Sequence, residues 1–300
     1  MMEKVPSLGL GTAALALTDL SEAERTLSLA LDSGIKYFDT AALYGGGQAE
    51  IRLGKVLKSQ AARDVFVSTK VGRYRELGVA APGPNDTPDV WDFSEATTRA
   101  SIRRSQDRLG RDYLDCVFLH DIEMAPEAAL AEALPVLKDL QAKGEIGLIG
   151  AGCNTNAGLI AAIYRGAADV VLVAGRWTLL DRSAARNLLP LCAQKRTAVV
   201  AGGVLNSGLL AKRPVEAASF DYRPATVVER DAATRIHDLA QASGIQLINA
   251  ALSFPTRHSA VDTLLLGVST ACQLEQSLSA LKTNIPQEFW ENVAPLGLRA

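Results

Sequence analysis

Short runs of apolar and β-branched residues alternate along the chain with longer segments whose apolar positions recur every three or four residues. The short runs are SLGLG (7–11), IKYFD (35–39), VFVSTK (65–70), LDCVFLH (114–120), EIGLIG (145–150), DVVLVA (169–174), TAVVAG (197–202) and DTLLLG (262–267). Runs of this length, closed by glycine or a polar residue, predict parallel strands buried on both faces. The longer segments predict helices. Ser21 and Glu24 form an S-x-x-E capping box before RTLSLAL, and Gly34 follows that helix. SEATTRASIRRSQDRLG (94–110) opens on an N-cap serine and stops at Gly110. EAALAEALPVLKDLQAKG (127–144) carries Pro135, which should kink the helix or sit near its start.

Eight such strand–helix units in 300 residues predict an α/β chain folded as a (β/α)8 TIM barrel, a single domain over residues 1–300. A doubly wound sheet is the rival, but the first strand–helix turn has no G-x-G-x-x-G. Two connections are long: Val71 to Phe93, containing APGPNDTPD, and the one after Gly202, containing KRPVEAASFDYRPA. In a barrel both leave C-terminal strand ends, so these are long loops at the catalytic face.

Composition narrows the function classes. A net charge of -2 without long basic runs gives no case for nucleic acid or an acidic membrane surface. No apolar stretch reaches the ~18 residues of a membrane span, and the N-terminus lacks a signal-peptide layout, so a cytoplasmic protein is expected. Cys116, Cys153, Cys192 and Cys272 are scattered without a CxxC. Buried, reduced thiols follow, with no structural metal and no disulfide framework. No long exposed apolar stripe is evident, which leaves a homo-oligomer open.

Chemistry gathers at the strand ends. Asp39 closes the second run, Lys70 the third and His120 the fourth, and Tyr44 lies five residues beyond Asp39. Each alone has a bland reading as a cap, a solvated lysine or a structural histidine. Neighbouring strand ends of a barrel converge, and together the set makes sense. An ammonium beside a phenol favours the phenolate, Asp39 balances Lys70, and His120 can orient a carbonyl oxygen. A carbonyl that takes a proton this way must also take a hydride, which implies a nicotinamide. Gly45–Gly47 read as a sharp turn into a helix near Gln48.

YFDTAALYG, VSTKVG, YLDCVFLHD, GLIGAGCN and LLLGVS resemble the aldo-keto reductase superfamily in order and spacing across nearly the whole chain. Its catalytic tetrad maps onto Asp39, Tyr44, Lys70 and His120. VGRYRELG, LHDIE, VLVAGRWTLLDRSA and GGVLNSGLLA further resemble bacterial D-threo-aldose or L-fucose 1-dehydrogenases and pyridoxal 4-dehydrogenases. The resemblance implies a barrel holding extended NAD(P)(H) and oxidising a cyclic hemiacetal to a lactone, with Tyr44 as acid/base. The alternatives are an NADPH-dependent aldehyde or ketone reductase and, remotely, a nucleotide-binding regulatory subunit.

By the same resemblance, Gly11 and Thr12 lie at the cofactor, and Cys153-Asn154 stands where the family's Ser-Asn pair holds the carboxamide. Gly203, Leu205, Gly208 and Leu210 fall on the pyrophosphate loop. Gly267, Val268 and Ser269, with Gln273, Gln276 and Ser277, face the adenosine. The family's sixth-strand Gln is replaced near Ala174 and its stacking Tyr near Gly202. Gln273 stands where NADPH-using members commonly carry an Arg. No Lys or Arg occurs from Gly267 through Leu281, which favours NAD over NADP. Substrate contacts are expected from Tyr44, His120, Trp91 and Trp177, with Trp177 alternatively covering the nicotinamide ring or packing the barrel. Tyr74 and Phe93 either join an apolar wall or pack the loop down. His237 is expected to be exposed and His258 structural.

Overall fold

A computed structural model describes residues 5–59, 64–74, 89–221 and 223–298. Eight parallel strands close a barrel: β1 Leu8–Gly11, β2 Tyr37–Asp39, β3 Phe66–Val71, β4 Leu114–His120, β5 Ile146–Cys153, β6 Val170–Ala174, β7 Ala198–Gly202 and β8 Thr263–Gly267. The hydrogen-bonded order follows the chain order and closes through β1 and β8. Every apolar run read from the sequence is a strand. The (β/α)8 barrel is therefore the fold. Among the described residues, no helix is long and apolar enough to cross a membrane.

Alternation along the strands separates two apolar layers. Tyr37, Phe66, Phe118, Leu148, Leu172 and Leu265 belong to the cluster that fills the barrel. The opposite parity packs under the helices in the larger cluster. Aspartates at strand starts bind the neighbouring strand. Asp115 Oδ2 accepts Val67 N–H at 2.8 Å, Asp169 Oδ2 accepts Ile149 N–H at 3.0 Å, and Asp262 Oδ2 accepts Val199 N–H at 2.8 Å. These bonds satisfy backbone donors that would otherwise lie unpaired near the buried end.

The helices are α1 Leu20–Asp32, α2 Gln48–Leu57, α3 Glu95–Leu109, α4 Leu134–Ala142, α5 Asn156–Tyr164, α6 Ala184–Lys195, α7 Val227–Ala242, α8 Leu247–Ser253, α9 Ala271–Ala280 and α10 Gln287–Val293. The capping box expected at Ser21 is not there. Helix α1 starts earlier, with Asp19 as N-cap and no side-chain cap, while Glu24 pairs with Lys55 at 3.4 Å. Ser94 and Gly110 cap α3 as expected. Pro135 sits near the start of α4, one of the two outcomes expected for it, and produces no break. A π-turn over Ala129–Ala133 lies just ahead of it, the local widening by which a helix accommodates a missing N–H.

The first long loop begins and ends as a ribbon pairing Arg73–Tyr74 with Val90–Trp91. Residues 75–88, and with them most of APGPNDTPD, lie outside the described residues. Tyr74 and Phe93 pack this loop down: the Tyr74 hydroxyl accepts Gly72 N–H at 2.9 Å and Phe93 is buried. The second long loop carries a ribbon of Ser219–Phe220 with Arg223–Pro224. Three cysteines are buried, whereas Cys272 is exposed on α9.

Phe118 fills the barrel centre because Gly150, beside it on β5, has no side chain. A Cβ at Gly150 would lie 2.4 Å from Phe118 Cδ1 and 2.9 Å from Val170 O. Gly150→Ala is expected to cost about 1–3 kcal/mol through overpacking. Urea denaturation checks this, as a lower midpoint with an unchanged slope.

Candidate active site

The inward parity of three neighbouring strands brings Asp39, Lys70 and His120 to one mouth at the strands' C-terminal ends. Lys70 Nζ donates to Asp39 Oδ2 at 2.6 Å and to the Thr40 carbonyl at 2.8 Å, with both charged side chains 2% exposed. The other carboxylate oxygen, Asp39 Oδ1, accepts the Ser68 hydroxyl at 2.6 Å. Ser68 Oγ lies 3.0 Å from Tyr37 OH, which is left to donate to it. Asp39 is also fixed through its backbone, because Thr12 donates to its carbonyl from N–H at 2.9 Å and from Oγ1 at 3.1 Å.

Tyr44 comes from the turn after β2. Its ring centroid lies 4.7 Å from Lys70 Nζ, and the His120 ring meets it edge-on at 6.0 Å. Burial alone would lower the Lys70 pKa, but the Asp39 carboxylate and Tyr44 hold it above the ordinary lysine value. Lys70 therefore stays an ammonium. Burial, then Lys70 and Arg73, pushes the His120 pKa well below 6.5, so its imidazole is neutral. Its Nδ1 has no hydrogen-bond partner among the described residues. The arrangement offers a phenol beside a fixed cation and a neutral imidazole, and it can move one proton to or from an oxygen at the mouth.

The other side of the mouth is almost bare. Gly11, Gly152, Ala174, Gly202 and Gly267 continue the inward parity on β1 and β5–β8. A Cβ at Gly267 would meet nothing within 4 Å. Below the glycines lie Leu172 and Leu265: a Cβ at Gly202 would lie 3.3 Å from Leu172 Cδ2 and 3.8 Å from Leu265 Cδ2. This is an open cradle with an apolar floor, suited to a planar ring.

Polar side chains run along the rim. Arg73 pairs with Asp89 and Asp121, and its guanidinium lies over the Trp91 ring at 5.3 Å. Asp121 Oδ1 accepts Asn154 Nδ2 at 3.1 Å. Arg176 donates to Asn154 O at 2.7 Å and to Asp181 Oδ2 at 2.8 Å, and also pairs with Asp221. Burial pushes the Asp121 carboxyl up, against the pull of Arg73. None of Ser68, Arg73, Asp121, Arg176 or Asp221 was singled out from the sequence. Ser68 had a signal, since it lies two residues before Lys70 on the same strand face, and Arg73, Asp121 and Arg176 lie within the stretches that carry the finer resemblance.

A family model described as "Aldo/keto reductase family" matches residues 7–296. The chain belongs to the aldo/keto reductase family. It is an oxidoreductase of the kind that uses NAD(P)H and acts on carbonyl or alcohol groups of small molecules. D-threo-aldose 1-dehydrogenase of a Pseudomonas species is 37% identical, over 97% of this chain and 93% of that protein. Pyridoxal 4-dehydrogenase of Microbacterium luteolum is 34% identical, over 98% and 94%. A solved aldo-keto reductase of Bacillus halodurans, in its holo form, superposes with a TM-score of 0.82 at 25% identity, over 99% and 97% of the two chains.

The family's cofactor positions fall unevenly in this chain. Asn154 is at the mouth, but Cys153 has the outward parity and is buried beneath α5, where a Cβ at Gly158 would lie 2.9 Å from its Sγ. Gly203, Leu205 and Gly208 lie in the tight turn after β7, anchored by Asn206 Nδ2 donating to Gly175 O at 3.2 Å. Leu210 is buried and its N–H is taken by Leu205 O at 3.1 Å. Gly267 and Ser269 are at the surface, whereas Val268 is core. Gln273 Oε1 accepts Ser269 N–H at 2.8 Å, Ser277 Oγ donates to Gln273 O at 2.8 Å, and Gln276 is exposed. Trp91 stands at the rim. Trp177 is packed in the outer core, donating to Pro255 O at 3.0 Å and meeting His258 edge-on at 5.3 Å. His237 is half-buried against Asp238.

The neutral imidazole has a consequence for stability. Below pH ~6.5 the unfolded chain binds a proton at His120 that the folded state excludes, so folding should weaken as the pH falls. His120→Gln lacks this contribution. Urea melts at two values, pH ~7.5 and ~5.5, should show wild type losing more stability than the variant on acidification, on the order of 1 kcal/mol.

Proposed function

We propose that this chain oxidises an aldose or similar cyclic hemiacetal to a lactone with an NAD(P) cofactor, and that Tyr44 is the acid/base. The observation that carries the reading is the Lys70 ammonium, fixed by Asp39 and lying against the Tyr44 ring. A phenol is a poor acid or base near neutrality unless its anion is stabilised. Lys70 supplies that stabilisation from a buried position where water screens it little. In oxidation Tyr44 takes the hydroxyl proton. His120, being neutral, bonds the reacting oxygen without competing for that proton. In reduction the same groups work in reverse.

The bare half of the mouth fits a nicotinamide, since glycines leave the space a ring needs and leucines give it an apolar floor. When bound, that ring takes or supplies the hydride. Gly11, Gly202 and Gly267 would border it, and Asn154 would hold its carboxamide. The turn at Gly203–Gly208 would take the pyrophosphate, and Gly267, Ser269 and Gln273 the adenosine. Trp91 and the Arg73 pairs would face the substrate. Identity with a D-threo-aldose 1-dehydrogenase over nearly the full length supports the aldose class.

NAD is favoured over NADP by a second observation. Glu22 Oε1 accepts the N–H of Ala271, the first residue of α9, at 2.7 Å. A carboxylate thus already occupies the positive end of the helix that carries Gln273. Arg25 lies 3.5 Å from the other Glu22 oxygen. A 2′-phosphate placed there would meet the Glu22 carboxylate.

Tyr44→Phe should fold, bind cofactor within about twofold of wild type, and lose roughly 10²–10⁴-fold in kcat. Near-normal turnover by this variant in an aldose assay defeats the assignment. Fluorescence titration should show NADP+ binding about tenfold or more weaker than NAD+, with Glu22→Gln/Gln273→Arg narrowing the gap. A clear NADP+ preference in wild type turns the reading toward the NADPH-dependent reductase.

A further inference from the structure

Tyr44 is tethered by three consecutive glycines. Gly45, Gly46 and Gly47 all have left-handed backbone, with φ of 59°, 62° and 92°. A segment without side chains loses the most conformational freedom on ordering, so it does little to hold the residue before it. Its own bonds are local: Gly46 N–H to Leu43 O at 3.0 Å, and Gln48 N–H to the carbonyls of Gly45 and Tyr44.

Something outside the turn closes on it. A Cβ at Gly47 would lie 2.9 Å from Arg108 Nε and 3.0 Å from Arg108 Cδ, so the arginine rests directly on that glycine. Arg108 stands in the last turn of α3. It gets there because α2 offers Gly54, where a Cβ would lie 2.1 Å from Arg108 O. The guanidinium is itself fixed: Arg108 Nε donates to Glu50 Oε2 at 2.7 Å, and Nη2 lies 2.6 Å from the same oxygen. Glu50 is fully buried in the first turn of α2. Its other oxygen accepts the Thr69 hydroxyl at 2.6 Å. Thr69 precedes Lys70 on β3. One chain of contacts therefore joins the tether of Tyr44 to the residue beside Lys70. A pair that only joined α2 to α3 would need neither the Thr69 bond nor the side-chain-free Gly47.

We propose that Arg108, acting through Glu50 and Thr69, is a positioning residue that clamps the three-glycine turn and so sets Tyr44 against Lys70. The proposal rests on the reading of Tyr44 as the acid/base. Arg108 touches no reacting atom. Its effect is on the geometry of the phenol, so it belongs to kcat rather than to substrate or cofactor affinity.

The test is the double variant Arg108→Met/Glu50→Gln, which removes both charges together and leaves an amide oxygen to accept from Thr69. Amide exchange over residues 43–48, read by mass spectrometry, should rise about tenfold or more. In the same protein kcat should fall about 10- to 100-fold, with aldose KM and NAD+ Kd within about threefold. Adding Gly46→Asn should recover at least about threefold in kcat, because asparagine tolerates the left-handed region and restricts the tether, and a Cβ there meets nothing within 4 Å. Unchanged exchange overturns the proposal. So does faster exchange with unchanged kcat, and so does a kcat loss that Gly46→Asn leaves untouched. Should the double variant not fold, Arg108→Lys decides by the same readouts with smaller changes in the same direction. Exchange needs no turnover, so the two readings fail separately: a wild type inactive on aldoses with a clamped turn defeats the aldose-oxidation reading alone.

Discussion

The buried pair of Asp39 and Lys70 is the constraint around which the mouth is organised. Two opposite charges, each 2% exposed, are tolerable inside a barrel only if every lone pair and proton finds a partner. Here Ser68 and the Thr40 carbonyl bond the pair directly, Tyr37 holds Ser68, and Thr12 holds the Asp39 backbone. Removing either charge would leave the other uncompensated in a medium that solvates it poorly. The same burial lets the lysine act strongly on the tyrosine above it and keeps the histidine beside it neutral. Stability and reactivity draw on one electrostatic arrangement.

Around this centre a run of charged and amide side chains joins the loops, in addition to the apolar packing of Phe93 and Phe220. Asp89, Arg73, Asp121, Asn154, Arg176 and Asp221 run from the loop after β3 to the loop after β7. Each link takes a side chain from one strand end to the next. Planar guanidinium groups suit this task, since they bind two acceptors at once in fixed directions. The rim therefore resists distortion although its segments are far apart in sequence.

Much of this was legible in the sequence, for physical reasons. Buried parallel strands must be apolar throughout, so all eight stood out as runs. Period-two geometry at their ends then brought Asp39, Lys70 and His120 together. The turn at Gly45–Gly47 and the entry into α2 at Gln48 also followed from residue type. Other features depend on where distant segments meet. Nothing near Cys153 in the sequence says that its side chain turns beneath α5, nor that Trp177 packs against Pro255 and His258. Glu22 reaches α9 across almost the whole chain length, and no local pattern marks it. The start of α1 was misread because an S-x-x-E match carries no information about the residues before it. Pro135 lies in the first turn of α4, the placement at which a missing N–H costs a helix least.

The glycines of the mouth have one more consequence. Strand ends elsewhere are sealed by their own side chains, but on this side Leu172 and Leu265 lie beneath a layer that has none. The barrel's hydrophobic filling is thus one layer short. A flat ring seated there, as proposed, would supply the missing layer and become part of the core. Occupancy and folding would then be linked quantities: a ligand at about a hundred times its Kd adds about 2.7 kcal/mol to the folded state. Resistance to heat and proteolysis would accordingly rise with the concentration of that ligand, so that its binding could be read without any turnover.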